Sequence, residues 1–302
     1  MRCIVFGASG DRVGRRRGGH QEVELLASYG DRAGYSADLL YGGFCEGNVV
    51  TGALAVETPG RMALLFTPPG GGLKRYASTT TLILEAIRVE ACNRDLVLLQ
   101  ALVDPADASQ AALLAGAGYW RLATLLYCRR LVQAAPPTGG VRPGLEFVAY
   151  PQAGEGEFRM ALAATYEGSL DCPGLAGLRS LDDIIDGHRA TGSHDPNLWY
   201  VARNERNNLG VLLLSPVPGR SCVEVVYMGV APAYRGRGVA SACLAHARNV
   251  CRQRGFDELI LAVDGANLPA RALYDRWGFQ IMAQRTAWIL VLQGRFSAEG
   301  DD

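Results

Sequence analysis

Residues 75–119 recur, shifted by 160 positions, as residues 235–279 of this 302-residue chain. Arg75 matches Arg235, Leu84 matches Leu244, Arg88 matches Arg248, Arg94 matches Arg254 and Leu99 matches Leu259. Val103-Asp104 match Val263-Asp264, Leu113 matches Leu273, Gly118 matches Gly278, and Tyr119 falls on Phe279. The matches keep their order and fall where the local pattern asks for strands and helices, so the chain holds two copies of one fold. AAPPTGGVRPG, residues 134–144, lies between the copies; its three prolines and three glycines disfavour both helix and central strand. We therefore expect a first domain over 1–135, a linker over 136–144 and a second domain over 145–302. The register of the repeat before residue 60 is left open.

The second half shows its elements most clearly. Residues 145–150 read as a strand and 155–169 as a helix; 170–175 form a loop. Residues 180–192 read as a helix with Ser180 as N-cap and Asp183 three positions on. NLWYVARNER and NLGVLLLS read as strands joined by a turn near Asn207-Asn208, followed by a strand over 222–230. Val239 to Arg254 carries an apolar stripe of Val239, Cys243, Ala247, Val250 and Cys251 and ends at Gly255, so it reads as a helix. Residues 259–264 read as a buried strand, 269–278 as a helix opening on Pro269, and 285–292 as a last strand. The fold class is α/β with a mixed sheet, twice over.

Composition excludes several functions. Lys+Arg and Asp+Glu both number 30, so no basic coat for nucleic acid is expected. No apolar run reaches the roughly 18 residues that span a bilayer, and the first residues lack a signal-peptide pattern, which points to a cytoplasmic protein without membrane partners. The eight cysteines form no CxxC pair, and His188 and His194 show no ligand spacing, so neither a metal nor a disulfide framework is expected.

Chemistry concentrates in VYMGVAPAYRGRGVASACL, residues 226–244. A strand ends near Val230, and a turn with Pro232 leads through Arg235-Gly236-Arg237-Gly238-Val239-Ala240 directly into a helix. Backbone N–H groups at such a helix start are unpaired and lie at the positive end of the dipole, which suits an anion. Gly236 and Gly238 let a phosphate approach the backbone, and Arg235 and Arg237 add positive charge. The GxGxxG and GxxxxGK[ST] patterns are absent.

The pattern Arg-x-x-Gly-x-Ala after V-x-P, together with LAVDGANLPARALYDRWGF at 261–279, resembles the GNAT N-acetyltransferases over residues 145–293. The resemblance implies two tandem GNAT acyl-CoA N-acyltransferase folds and acetyl-CoA as cosubstrate. It implies that the diphosphate sits on the N–H groups of Arg235, Gly236, Arg237, Gly238, Val239 and Ala240. The pantetheine arm would pair with the strand through Met228, Gly229 and Val230, where the strand splays from its neighbour, and Asn267 would hold the far side. Tyr274 would protonate the leaving thiolate; it also completes an apolar stripe with Ala270, Leu273 and Trp277. Glu224 lies eleven residues before Arg235, the spacing of the family's glutamate base. In a regular strand it shares a face with Val226, Met228 and Val230. It reads either as that base or as a strand-end glutamate held by an arginine, with an ordered water as base. The form E-V-x-x-x-G-V-x-P from Glu224 to Pro232 is also similar to mycothiol synthases, though only locally.

The implied activity is acetyl transfer to a primary amine of a small molecule or peptide; the alternative is a non-catalytic acyl-CoA sensor or scaffold. Asp171 is a candidate for receiving the amine, Asp182, Asp183 and Asp186 read as a solvated helix face, and His246 reads as a surface residue. At the 160 offset the first half carries Tyr76 for Gly236, Ser78 for Gly238, Leu64 for Glu224, Leu114 for Tyr274 and Asp107 for Asn267, so it reads as a degenerate copy. FGASG (6–10) lacks a βαβ context and PPGGGLK (68–74) is out of register, so neither is taken as a site. Oligomeric state is not legible.

Overall fold

The computed structural model describes residues 4–7, 39–45, 48–68, 73–137, 144–205 and 207–292. Ala8–Gly10 of the FGASG stretch, Pro69–Gly72 of the PPGGGLK loop and residues 138–143 of the linker lie outside them.

The first half contains β1 (Ile4–Gly7), β2 (Leu39–Cys45), β3 (Asn48–Thr58), β4 (Met62–Phe66), α1 (Leu73–Asn93), β5 (Leu98–Val103), α2 (Ala108–Gly116) and β6 (Trp120–Leu131). The second contains β7 (Glu146–Ala149), α3 (Glu155–Tyr166), α4 (Leu181–Arg189), β8 (Trp199–Arg203), β9 (Asn208–Pro216), β10 (Cys222–Val230), α5 (Val239–Arg254), β11 (Glu258–Asp264), α6 (Leu268–Arg276) and β12 (Gln280–Val291). The starts of β2, β3, β4, β5, α2 and β6 lie 160 positions before those of β8, β9, β10, β11, α6 and β12, so the repeat reaches back to residue 39.

Strand pairing divides the chain differently from the linker. The compact units are Ala123–Gln284, and Met1–Leu122 with Arg285–Asp302. In the first of these the sheet runs β6-β11-β10-β9-β8-β7, parallel between β10 and β11 and antiparallel elsewhere. In the other it runs β1-β2-β3-β4-β5-β12, parallel between β4 and β5. Each sheet thus takes its last strand from the other half of the sequence. Leu125–Leu131 of β6 pair with β11, and Thr286–Val291 of β12 pair with β5 in the equivalent register. The proline-rich stretch follows the Ala123–Leu131 part of β6 and precedes β7, both within the Ala123–Gln284 unit.

That unit has an apolar core on each face of its sheet. One core gathers Val239, Cys243, Leu244, Ala247 and Cys251 of α5, Leu273 and Tyr274 of α6, and Leu212, Leu214, Val223 and Val225 of the strands. The other gathers Phe158 and Leu162 of α3, Ile185 of α4, and Trp199, Val211 and Leu213. Each large side chain so removed from water contributes about 1.5–3 kcal/mol. Local signals set the helix ends. Ser180 Oγ accepts from Asp183 N–H while Asp183 accepts from Ser180 N–H, which starts α4. Gly255, at φ +77°, stops α5. His246 is not a surface residue. Its ring stacks on Phe147 (4.2 Å, 9°) and meets Tyr200 edge-on (4.5 Å), because α5 lies against the sheet at this turn. In the other unit Ile83, Leu84, Ile87 and Ala91 of α1 pack with Leu65, Leu99, Ala101 and Leu114.

Candidate active site

The β10–β11 ladder holds for three residues only: Cys222, Val223 and Glu224 oppose Glu258, Leu259 and Ile260. β10 then continues to Val230 along β9, and β11 to Asp264 along β6. The parallel strands diverge, and a cleft of about 990 Å³ opens between them. Beyond Glu224 the β10 edge toward β11 has no ladder partner, which leaves main-chain groups for an amide-bearing ligand. Its counterpart β4 is short: it pairs with β5 over Met62–Leu65 and ends at Phe66.

A bulge re-aims the side chains at this point. Val225 opposes Leu214 but Tyr227 opposes Leu213, so Val226 is an extra residue in β10. Cross-strand partners share a face. Glu224, opposite Ser215, therefore shares its face with Tyr227 and Gly229, whereas Met228 and Val230, opposite Leu212 and Gly210, lie on the other. The expectation that Glu224 shares a face with Met228 and Val230 is thus corrected; one inserted residue inverts the period-two count. Glu224 sits where the ladder ends, on the side covered by α3 and α4. Burial pushes its carboxyl above the ordinary glutamate range.

The end of the cleft toward α5 is a row of donors. α5 begins with Ala242 N–H bonded to the Gly238 carbonyl, so Gly238, Val239, Ala240 and Ser241 keep N–H groups without a carbonyl four residues back. Gly236 and Gly238 take φ +72° and +80°, a conformation that favours glycine, and a Cβ at either would meet no other atom. The backbone is thus both turned toward the cleft and unobstructed. These features fit a diphosphate at the positive end of a 16-residue helix.

Arg235 has a different task from Arg237. Its guanidinium donates to the carbonyls of Val230 (3.0 Å), Gly168 (2.8 Å), Thr165 (3.3 Å) and Glu167. It closes the open C-terminal carbonyls of α3 and ties them to the end of β10. Its own N–H bonds to the Pro232 carbonyl at 3.3 Å. The side chain is thus a clamp on the cleft wall rather than added charge for a ligand.

On the opposite wall Asn267 caps α6: its side-chain oxygen accepts from Ala270 N–H (3.2 Å), as Asp107 accepts from Gln110 N–H at the equivalent start of α2. The same Asn267 side chain bonds to Asp171. Asp171, from the α3–α4 loop, also accepts from Asp264 N–H (2.9 Å), and Asp264 accepts in turn from the N–H groups of Cys172 (3.3 Å) and Ala266 (2.9 Å). The loop is therefore fastened to both sides of the splay, by Arg235 on one and by Asp171 and Asp264 on the other. Tyr274 projects from α6 and packs edge-on against Phe279 (5.5 Å, 63°). Burial first, then the charge of Asp171, hold its phenol above the ordinary tyrosine value, so it stays protonated.

Met228, Gly229, Val230, Arg235, Gly236, Arg237, Gly238, Val239, Ala240, Asn267 and Tyr274 all line the cleft; Glu224 does not. A group that sequence reasoning missed lies beside it. Tyr166 stacks on Tyr227 (4.8 Å, 15°), Tyr227 Oη pairs with Thr165 Oγ1 (3.1 Å), and Tyr166 Oη pairs with His188 Nε2 (2.9 Å). Burial holds His188 down to about 4, so its imidazole is neutral at pH 7. Only the aromatic pair Tyr166 and Tyr227, 61 positions apart, hints at it in sequence. Among the described residues no cluster of three His, Cys, Asp or Glu is placed to hold a metal, and no helix is long and apolar enough to cross a membrane.

Residues 163–279, which carry both walls of this cleft, match the acetyltransferase (GNAT) family. A mycothiol acetyltransferase of Beutenbergia cavernae is 30% identical over 256 residues, covering 76% of this chain and 84% of that protein. The chain belongs to the GNAT family of acetyltransferases. A second mycothiol acetyltransferase, from Clavibacter michiganensis subsp. michiganensis, is 34% identical over 172 residues, 56% of this chain and 54% of that protein. Among solved structures, a GCN5-related N-acetyltransferase from Sphaerobacter thermophilus shares the fold with TM-score 0.60 at 19% identity, over 90% of this chain and 85% of that one. A tandem GNAT protein from the clavulanic acid biosynthesis pathway shares it with TM-score 0.52 at 15% identity, over 95% and 91%. The tandem GNAT architecture read from the 160-residue repeat is thus found in the fold, and the enzyme is an acetyltransferase.

Proposed function

We propose that this GNAT enzyme transfers acetyl from acetyl-CoA directly to a primary amine of a small molecule or peptide, at the cleft between β10 and β11. The observation that carries the reading is the combination, in one cleft, of an unpaired strand edge, a phosphate-sized donor row at a helix start and a buried, protonated tyrosine. Acetyl-CoA supplies the activated acyl group as a thioester. Met228 and Val230 offer main-chain partners to its amide-bearing arm, and Gly236 through Ala240 offer N–H groups to its diphosphate. Asn267 contributes by holding Asp171 and the start of α6, which supports the far wall.

Glu224, with its raised carboxyl but set back from the cleft lining, takes the proton of the acceptor ammonium through water. The freed amine nitrogen bonds to the thioester carbon, the carbon–sulfur bond breaks, Tyr274 gives its proton to the departing sulfur, and the second proton shed by the new amide nitrogen passes through water to restore the Tyr274 phenol. Positioning supplies most of the acceleration. The name borne by the two curated relatives supports a small-molecule acceptor. The Met1–Leu122 unit, with Tyr76 and Ser78 at the two glycine positions and a shortened β4, acts in this reading as a structural or substrate-shaping domain. Calorimetry with acetyl-CoA tests the site: one site per chain, lost in Gly238→Trp, is the expected result. Tyr274→Phe should lower kcat on an amine identified by screening, while acetyl-CoA affinity stays nearly intact. An unchanged kcat would remove Tyr274 from the chemistry, and no binding of acetyl-CoA would remove the proposal.

A further inference from the structure

Arg130, on β6, is a buried cation at 2% exposure whose donors all go to main chain. It bonds the carbonyls of Ala134 and Ala135 (2.8 Å each), that of Leu131 (3.3 Å) and that of Trp277. Its guanidinium lies 5.3 Å from the Trp277 ring. Arg248 of α5 adds a bond to the carbonyl of Val132 (2.8 Å). The first residues after β6 are thereby fixed against the end of α6. That end is itself fixed to the start of α5, because the Trp277 indole N–H donates to Ser241 Oγ (3.1 Å). Ser241 is one of the four first-turn residues whose N–H groups face no intrahelical partner.

This chain of contacts holds Ala134 and Ala135 beside the end of α6, and Pro137, two residues on, lines the cleft, as do Trp277 and Ser241. Trp277, which shares Arg130 with Ala135 two residues before Pro137, follows the last turn of α6 and is tied to Ser241 in the donor row. A surface connection between two repeats needs no buried arginine with four carbonyl partners; a segment that must stand at a fixed place in a wall does.

We propose that Pro137, just after β6, is part of the donor site. Pro137 borders the portion of the cleft that takes the nucleotide end of an acyl-CoA, and the Arg130-held segment selects a nucleotide-bearing donor over a truncated one. The inference rests on the acetyl-CoA reading above and adds a specificity element to it.

The experiment places a charge at residue 137 and measures Kd by calorimetry for CoA and, by competition, for 4′-phosphopantetheine, which lacks the adenosine bisphosphate. Pro137→Glu should weaken CoA roughly five- to tenfold at low salt, less at about 0.5 M, by repulsion of the phosphates. It should leave 4′-phosphopantetheine within about twofold, and Pro137→Lys should not weaken CoA. Indifference of CoA to both variants, or equal weakening of both ligands, would overturn the inference and leave the proposed function standing. Failure of the unaltered protein to bind CoA would overturn both.

Discussion

Replacing Arg235 by alanine separates two roles that the motif alone leaves merged. The structure gives its guanidinium four carbonyl partners, those of Val230, Gly168, Thr165 and Glu167. Three of these lie at or just past the C-terminus of α3, where carbonyls lack helical partners and carry the negative end of the dipole. The side chain is exposed, so water can replace part of each bond and the low end of the usual range applies, about 0.5 kcal/mol apiece. Arg235→Ala should then cost about 2 kcal/mol, which for a unit of this size lowers its melting temperature by about 4–8 °C. Arg235→Lys should recover less than half, because an ammonium cannot span the fork. The assay is differential scanning calorimetry, paired with the KM for acetyl-CoA at low salt and at about 0.3 M. An unchanged melting temperature, with a KM raised tenfold at low salt and recovered at high salt, would refute the clamp and make Arg235 a phosphate ligand.

Three further outcomes follow from the same geometry. Gly229→Ala would put a Cβ 2.5 Å from Thr165 Cβ and 2.7 Å from Tyr227 Oη, forcing α3 off β10; a loss of about 2–3 kcal/mol in urea unfolding is expected, and none would contradict the packing. Glu224 binds its proton more tightly folded than unfolded, so it favours the fold most when protonated and that contribution is lost as pH rises through its raised value. Glu224→Gln should therefore raise the melting temperature at pH 8 but not at pH 4, and abolish the acid limb of kcat/KM; a gain that persists at pH 4 would contradict this. His246 is held down to about 4 by burial, so the unfolded chain binds the extra proton between about 6.5 and 4. Stability present above 6.5 should drain away across that window by up to about 3 kcal/mol, and His246→Phe should flatten the urea midpoints between pH 7 and 5; an unaltered slope would place the effect elsewhere.

The repeat, the helix ends and most of the cleft wall were legible because they are written in local chemistry. Gly238 and Gly255 mark where left-handed backbone is needed, and Ser180 with Asp183 marks a helix start. The exchange of β6 and β12 was not legible. The two strands occupy equivalent places in the repeat, and nothing in either apolar pattern says whether β5 or β11 will be its neighbour. The bulge at Val226 was hidden for a related reason: V-E-V-V-Y-M contains no glycine or proline to betray an extra residue, and the face of Glu224 depends on it. Arg235 stood out by its spacing, but three of its four partners lie at or just past the end of α3, 67 to 70 residues earlier, which no local pattern encodes. His246 looked exposed for the same reason, since Phe147 and Tyr200 reach it from separate strands.

The borrowed strands have a consequence during synthesis. β5 is almost wholly apolar and inward-facing, with Leu98, Leu99, Ala101 and Val103 all buried, yet one of its edges is satisfied only by Thr286–Val291. A ribosome making about 5–20 residues per second needs roughly ten to forty seconds to travel from one to the other. Throughout that interval the nascent chain carries a sticky, half-finished sheet. Premature termination anywhere in the second repeat would leave that edge permanently bare, a template for aggregation and a natural client for chaperones.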